Sequence, residues 1–99
     1  MNIKIHSVHF DADKKLVEFV ESKVQKLTQY DEKILGAEIF LRLEKNQNAE
    51  NKIAEIKLSI TPNELFAKRQ CKTFEEATDL TVEALKRQLV KQKAKKTGR

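Results

Sequence analysis

Four segments of this 99-residue chain alternate apolar and polar side chains, and this alternation constrains the fold more than any other feature. It occurs over residues 2–8, 37–43, 54–60 and about 65–72. A period of two predicts strands with one buried face and one polar face. Arg69 interrupts the apolar positions of the fourth segment, so its far end is defined less sharply. Because each strand has one apolar face, we expect a single covering layer on one side of the sheet.

A first helix is predicted over residues 14–30, where apolar residues recur at helical spacing. Its apolar stripe comprises Leu16, Val20, Val24 and Leu27. Asp13 stands where an N-cap is expected, and Gly36 is expected to mark the break before the next strand.

A second helix is predicted to follow Thr73, its expected cap. The predicted apolar stripe of this helix comprises Phe74, Thr78, Val82, Leu85 and Leu89. A second row, expected to face outward, comprises Leu80, Ala84, Arg87 and Lys91. Thr78 is a weak core residue, because it brings a hydroxyl to an apolar stripe.

The predicted element order is β-α-β-β-β-α, which indicates an α+β fold. We expect a two-layer sandwich in which both helices cover one face of a four-stranded mixed sheet. The helix between the first two strands predicts that they are parallel, whereas short connections make the later pairs antiparallel. One domain is expected over residues 1–93, with a basic, flexible tail at 94–99. The start of the chain has no apolar run of the kind found in a signal peptide or membrane span.

Positive charge is concentrated at one end of the chain. Residues 86–99 carry seven Lys or Arg and no acid, whereas residues 1–85 carry thirteen cations against fifteen acids, a net charge of −2. The helix dipole favours cations near a C-terminus, but its benefit is confined to the last turn. The remaining excess indicates a surface for nucleic acid or another polyanion.

Catalytic and metal-binding patterns are not evident in the sequence. His6, His9, Asp11 and Asp13 have metal-ligand chemistry, but residues three apart on a strand point to opposite faces. Cys71 has no obvious base or resolving partner, and no glycine-rich phosphate loop occurs. We therefore expect no enzymatic activity, no metal and no cofactor.

Lys23 and Lys26 flank the apolar stripe of the first helix, with Phe19 nearby. At that position they are expected to border a groove between the two helices and to extend the cationic surface. The alternative is that their aliphatic stems cover the edge of the core while the ammonium groups stay in water.

The chain resembles the ribosome hibernation-promoting factors, the short relatives of the ribosome-associated inhibitor of translation in the sigma-54 modulation protein family. The resemblance rests on the initial "MNIKI", the helix "LVEFVESKVQKLTQY", the "EKN" after the second strand and the segment "FEEATDLTVEALKRQLVKQKAKK". It implies a fold similar to a double-stranded-RNA-binding domain. It also implies a cytoplasmic protein that binds the small ribosomal subunit and its rRNA in the mRNA and tRNA channel, silencing translation in starvation or stationary phase.

The resemblance carries cationic positions of the family onto residues of both helices. Together with the charge pattern, it predicts RNA binding by Lys23, Lys26, Lys86, Arg87, Lys91, Lys93, Lys95 and Lys96. Ala84 and Val8 stand where the family often has basic residues, and Thr78 stands where it has Ile or Leu. Lys95, Lys96 and Arg99 lie beyond the last core anchor, so this end is expected to settle on RNA only when bound.

The resemblance further implies a short form that ends without the second domain of long members. We expect no membrane, no small-molecule substrate and a monomer off the ribosome. Two other functions stay open from the residues: a general double-stranded-RNA-binding module, and a protein–protein assembly module that uses the row containing Leu80.

Overall fold

A computed structural model describes residues 1–45 and 49–97 of the chain, with side chains described as far as residue 93. Its elements follow the predicted order β-α-β-β-β-α. They are β1 (Asn2–Val8), α1 (Lys14–Gln25), a 3-10 helix (Lys26–Gln29), β2 (Ile34–Leu43), β3 (Lys52–Ile60), β4 (Asn63–Cys71) and α2 (Phe74–Thr97).

The four strands form one sheet in the order β1-β2-β3-β4. β1 pairs with β2 in parallel, and the β2–β3 and β3–β4 pairs are antiparallel. α2 packs across β3 and β4, and α1 packs beside α2. The predicted α+β sandwich with both helices on one face is confirmed, and the opposite face carries polar side chains such as Glu38 and Lys57.

The predicted stripe of the first helix is buried in the core, with Leu27 contributed by the 3-10 helix that continues α1. Val20 and Val24 are fully buried, and Leu16 and Leu27 are almost so. The helix begins where predicted, because the Asp13 carboxylate accepts a hydrogen bond from the Leu16 amide at 2.8 Å. This bond satisfies one of the amides that the first turn of a helix leaves without a backbone partner.

The buried stripe of α2 differs from the prediction at its centre. Phe74, Thr78, Leu85 and Leu89 are buried as expected. Thr81 is fully buried as well, whereas Val82 is half-buried at the edge of the core. The hydroxyl of Thr81 donates to the Ala77 carbonyl at 2.7 Å and lies 3.2 Å from the Ala54 carbonyl. These hydrogen bonds make a buried threonine acceptable at position 81, although the pattern predicted Val82 as the core residue.

The outward row of α2 is wrong at one position. Ala84 is half-buried and packs against the core, whereas Leu80, Arg87 and Lys91 are exposed. Ala84 is small enough to sit at the flank of the helix against neighbouring side chains. The side-chain amide of Gln88 donates a hydrogen bond from the same helix to the Phe66 carbonyl on β4 at 3.1 Å, which adds a polar contact between α2 and the sheet.

Gly36 does not mark a break, because it lies inside β2, which begins at Ile34. The strand register shifts between Ile34 and Gly36. A Cβ atom at position 36 would lie 2.8 Å from the carbonyl oxygen of Asn2 on β1. Glycine is therefore needed for the close approach of two strands, the other common reason for a glycine within a strand.

The last strand has different limits from those predicted, whereas the last helix agrees to within one residue with the predicted segment "FEEATDLTVEALKRQLVKQKAKK". β4 covers Asn63–Cys71, and Arg69 is exposed at its edge. The predicted division between the domain and its basic tail, after residue 93, falls inside α2, which continues to Thr97. Arg99 lies outside the described residues, and the flexible tail stays a prediction. No helix in the described part of the chain is long and apolar enough to cross a membrane.

Candidate nucleic-acid interface

A groove of about 270 Å³ lies between the two helices. Its walls come from α1, the 3-10 helix and α2. It is lined by Lys23, Lys26, Leu27, Tyr30, Asp79, Val82, Glu83 and Lys86. The apolar side chains belong to the edge of the core, so the polar head groups are left around the opening.

Lys23 connects the two helices at one position in this groove. Its ammonium lies 3.2 Å from the carboxylate of Asp79 on α2. The same ammonium lies 5.4 Å from the centroid of the Phe19 ring, within cation–π range. Lys23 is thus not simply a snorkelling side chain, because its charged head is held between a carboxylate and an aromatic face.

Lys86 makes the corresponding contacts from α2. Its ammonium lies 5.5 Å from the centroid of the Tyr30 ring and 4.0 Å from the carboxylate of Glu83. Glu83 also lies 3.8 Å from Nε of Arg87, so one carboxylate serves two cations. Tyr30 packs partly against the core, which keeps its ring in place.

The predicted RNA-binding residues occupy three kinds of place. Lys23, Lys26 and Lys86 meet at the groove, although Lys23 and Lys86 lie on different helices. Arg87, Lys91 and Lys93 are exposed along α2 beyond it. Arg87 and Lys91 are one helical turn apart and share a face. The backbone of Lys95 and Lys96 is helical, but their side chains lie outside the described residues.

Besides the apolar Leu27 and Val82, the predicted site omits three groove residues that carry polar groups: Tyr30, Asp79 and Glu83. In the sequence, the two acids belong to the acid-rich first half of α2. The partner of Asp79 is far away in sequence, so spacing alone gives no sign that this carboxylate meets Lys23. Tyr30 follows the 3-10 helix, outside the regular stripe of α1.

The two histidines lie in different settings, because only His6 belongs to β1. His6 is stacked on Phe40 with ring centroids 4.7 Å apart, and its Nε2 lies 2.9 Å from the carboxylate of Glu38. His9 lies beyond β1 with a φ of 69°. Within residues 1–45 and 49–97, no group of three or more His, Cys, Asp or Glu side chains is arranged to hold a metal ion.

Cys71 is buried at the end of β4. Burial raises the pKa of its thiol, and the negative charges of Glu76 and Glu50 raise it further, against a smaller opposing effect of Arg69. A raised pKa leaves less thiolate at neutral pH, and the thiolate is the reactive form. Its position and pKa are those of a structural cysteine.

These features define a small α+β domain in which a groove lined by three lysines and two acids lies between the two helices, with further exposed cations along α2. The chain belongs to the sigma 54 modulation protein / S30EA ribosomal protein family, whose model matches residues 3–97. The family expected from the sequence is thereby confirmed. No curated protein sequence gives a significant match.

Solved structures show the same fold. A ribosomal subunit interface protein from Coxiella burnetii superposes with a TM-score of 0.84 at 22% identity, covering 95% of this chain and 99% of that one. The N-terminal domain of Protein Y from Thermus thermophilus gives a TM-score of 0.79, also at 22% identity, covering 92% of this chain and 98% of that one.

Proposed function

We propose that this protein binds the small ribosomal subunit through the groove and the exposed cations of α2. In this proposal it occupies the channel used by mRNA and tRNA and silences translation in starvation or stationary phase. Membership of a family described as ribosomal supports this function, as does the fold shared with a ribosomal subunit interface protein. The proposed location is the cytoplasm, where ribosomes work.

The observation that carries the proposal is the convergence of cations from two helices. Lys23 and Lys26 come from the first helical region, and Lys86 comes from α2, yet all three line one groove. Arg87 and Lys91 continue the positive surface along α2. A rigid surface of this kind neutralises several RNA phosphates at once and releases their counterions. Its mechanism is occupancy: a folded domain in the channel excludes tRNA without any chemical step.

Cosedimentation with purified small subunits tests this function. At about 0.15 M salt, near physiological ionic strength, the protein is expected to pellet with the subunits and to be displaced by excess tRNA. It is also expected to inhibit translation of a reporter mRNA in a reconstituted system. Protein that stays in the supernatant with subunits present would refute the proposal.

A general double-stranded-RNA-binding function is separated by the same assay. Equal affinity for an arbitrary RNA duplex and for the small subunit would favour the general function. Leu80 is 46% exposed on α2, which leaves a surface for protein assembly. A stable homo-oligomer without RNA binding would favour that second alternative, whereas a monomer that pellets with subunits favours the ribosomal function.

A further inference from the structure

The groove contains carboxylates as well as lysines. Asp79 and Glu83 are one turn apart on α2, so both point to the same side of the helix. Asp79 lies against Lys23, and Glu83 lies against Lys86 and Arg87. Three of the cations proposed to bind RNA therefore already have an anionic partner in the free protein.

The helix dipole accounts for neither acid, and pairing along the helix applies only to Glu83, which lies four residues before Arg87. The dipole of α2 favours acids in its first turn, where Glu75 and Glu76 lie, and the effect fades beyond that turn. Asp79 and Glu83 lie one and two turns further along. Their side chains are 50% and 47% exposed, and exposed ion pairs contribute little to folding.

We infer that Asp79 and Glu83 are specificity-determining residues that compete with RNA phosphate for the cations of the groove. This inference rests on the proposed function and adds residues to it. In the free protein the carboxylates occupy the positions around Lys23, Lys86 and Arg87 that a phosphate would take. Binding exchanges each carboxylate contact for a phosphate contact, and the displaced carboxylate stays nearby as a like charge.

Such competition discriminates between RNA surfaces. A plain duplex that reaches the groove with one or two phosphates gains little, because each gain is offset by a lost ion pair and by repulsion from the carboxylate. A folded RNA surface that also contacts Arg87, Lys91 and Lys26 gains enough additional contacts to displace both acids. A repulsive element that penalises the wrong partner more than the right one increases specificity.

The aromatic rings maintain the lysines in position during this exchange. Phe19 lies under the ammonium of Lys23, and Tyr30 lies under that of Lys86. These cation–π contacts do not depend on the carboxylates. When Asp79 and Glu83 turn away, the ammonium groups remain at the groove, so less side-chain entropy is lost on binding.

The test compares the double variant Asp79→Asn, Glu83→Gln with the wild type. The control variant is Glu64→Gln, Glu75→Gln, which removes the same charge from exposed acids outside the groove. The dissociation constants are measured at one salt concentration for an RNA duplex of arbitrary sequence and for purified small subunits.

The groove variant is expected to bind the duplex about tenfold more tightly, at roughly threefold for each carboxylate, the size of an exposed ion pair. The affinity for small subunits is expected to change by less than about threefold, so the preference for subunits falls. The control is expected to change both affinities slightly and equally, because it alters only the net charge.

Three results would overturn the inference. In the first, duplex affinity is unchanged or weaker in the groove variant; in the second, the control variant reproduces the gain. Equal tightening for duplex and subunits would also refute a role in specificity. A wild type that binds subunits while the groove variant behaves like the control refutes this inference alone. A wild type that does not bind subunits refutes the proposed function and this inference together.

Discussion

Neutralising Arg87 and Lys91 should weaken ribosome binding without affecting the fold. The perturbation is the double variant Arg87→Gln, Lys91→Gln. The side chain of Arg87 is 78% exposed, and Lys91 is also exposed on the same face of α2. The unfolding free energy should therefore stay within about 0.5 kcal/mol of the wild type, including the loss of the contact between Arg87 and Glu83.

The expected loss of affinity follows from counterion release. Each phosphate contact contributes about 0.9 to the slope of log affinity against log salt, taking the duplex coefficient as a guide. A surface making four to six contacts gives a slope of about −3.6 to −5.4, and removing two contacts reduces its magnitude by about 1.8. At 0.15 M salt the same loss weakens binding by about 30-fold.

The assay is titration of labelled protein with small subunits at four or more salt concentrations. The matched control is Lys57→Gln, Lys68→Gln, which removes two exposed cations from the open face of the sheet. The control should keep the wild-type slope. A flat salt dependence in the wild type, or equal slopes in the two variants, would refute the assignment of phosphate contacts to α2. Loss of folding in the α2 variant would show that these residues are not outward.

Three further predictions concern the fold. In the described structure the buried hydroxyl of Thr78 has no hydrogen-bond partner, so Thr78→Val should raise the free energy of unfolding by about 1 kcal/mol. Thr81→Val should lower it by about 1 kcal/mol, because the hydrogen bonds of the Thr81 hydroxyl are lost. Denaturant unfolding measures both changes, and changes of the same sign would contradict the assignment. Gly36→Ala should destabilise by about 1–3 kcal/mol through its clash with the Asn2 carbonyl, measured as a lower Tm, and an unchanged Tm would contradict the close approach. Because burial and nearby acids raise the pKa of the Cys71 thiol, its alkylation at pH 8 should be much slower in folded than in denatured protein; equal rates would mean that the thiol is accessible.

The sequence predicts the fold well where periodicity and burial agree. The stripe from Leu16 to Leu27 and the cap at Asp13 follow from local spacing alone, and the structure confirms both. The prediction for Gly36 is wrong because glycine serves both turns and close strand contacts. Only the pairing of β1 with β2, which joins residues more than thirty positions apart in sequence, distinguishes these two roles of glycine. Spacing allows either Thr81 or Val82 between Thr78 and Leu85, and the hydrogen bonds that accommodate the buried Thr81 hydroxyl cannot be read from it.

The candidate site divides in the same way. The excess of cations after residue 85 depends only on which residues occur in that segment, so the sequence alone shows it. The groove is different, because it depends on how α1 and α2 are packed. The contact of Lys23 with Asp79 joins residues 56 positions apart, and the position of Tyr30 depends on a short 3-10 helix. Long-range pairing of this kind leaves no periodic trace in one sequence.

Because α2 is long, the apolar residue Leu89 determines where the lysines that follow it in the helix are placed. Leu89 is fully buried, and the helix continues from it to Thr97, a distance of about 12 Å. A separate helix of that length would not form in water, because the first turn is costly to nucleate, but elongating an existing helix is easy. Leu89 anchors the turn from which the last residues propagate. The reach and spacing of the final lysines are thus set by the hydrophobic core.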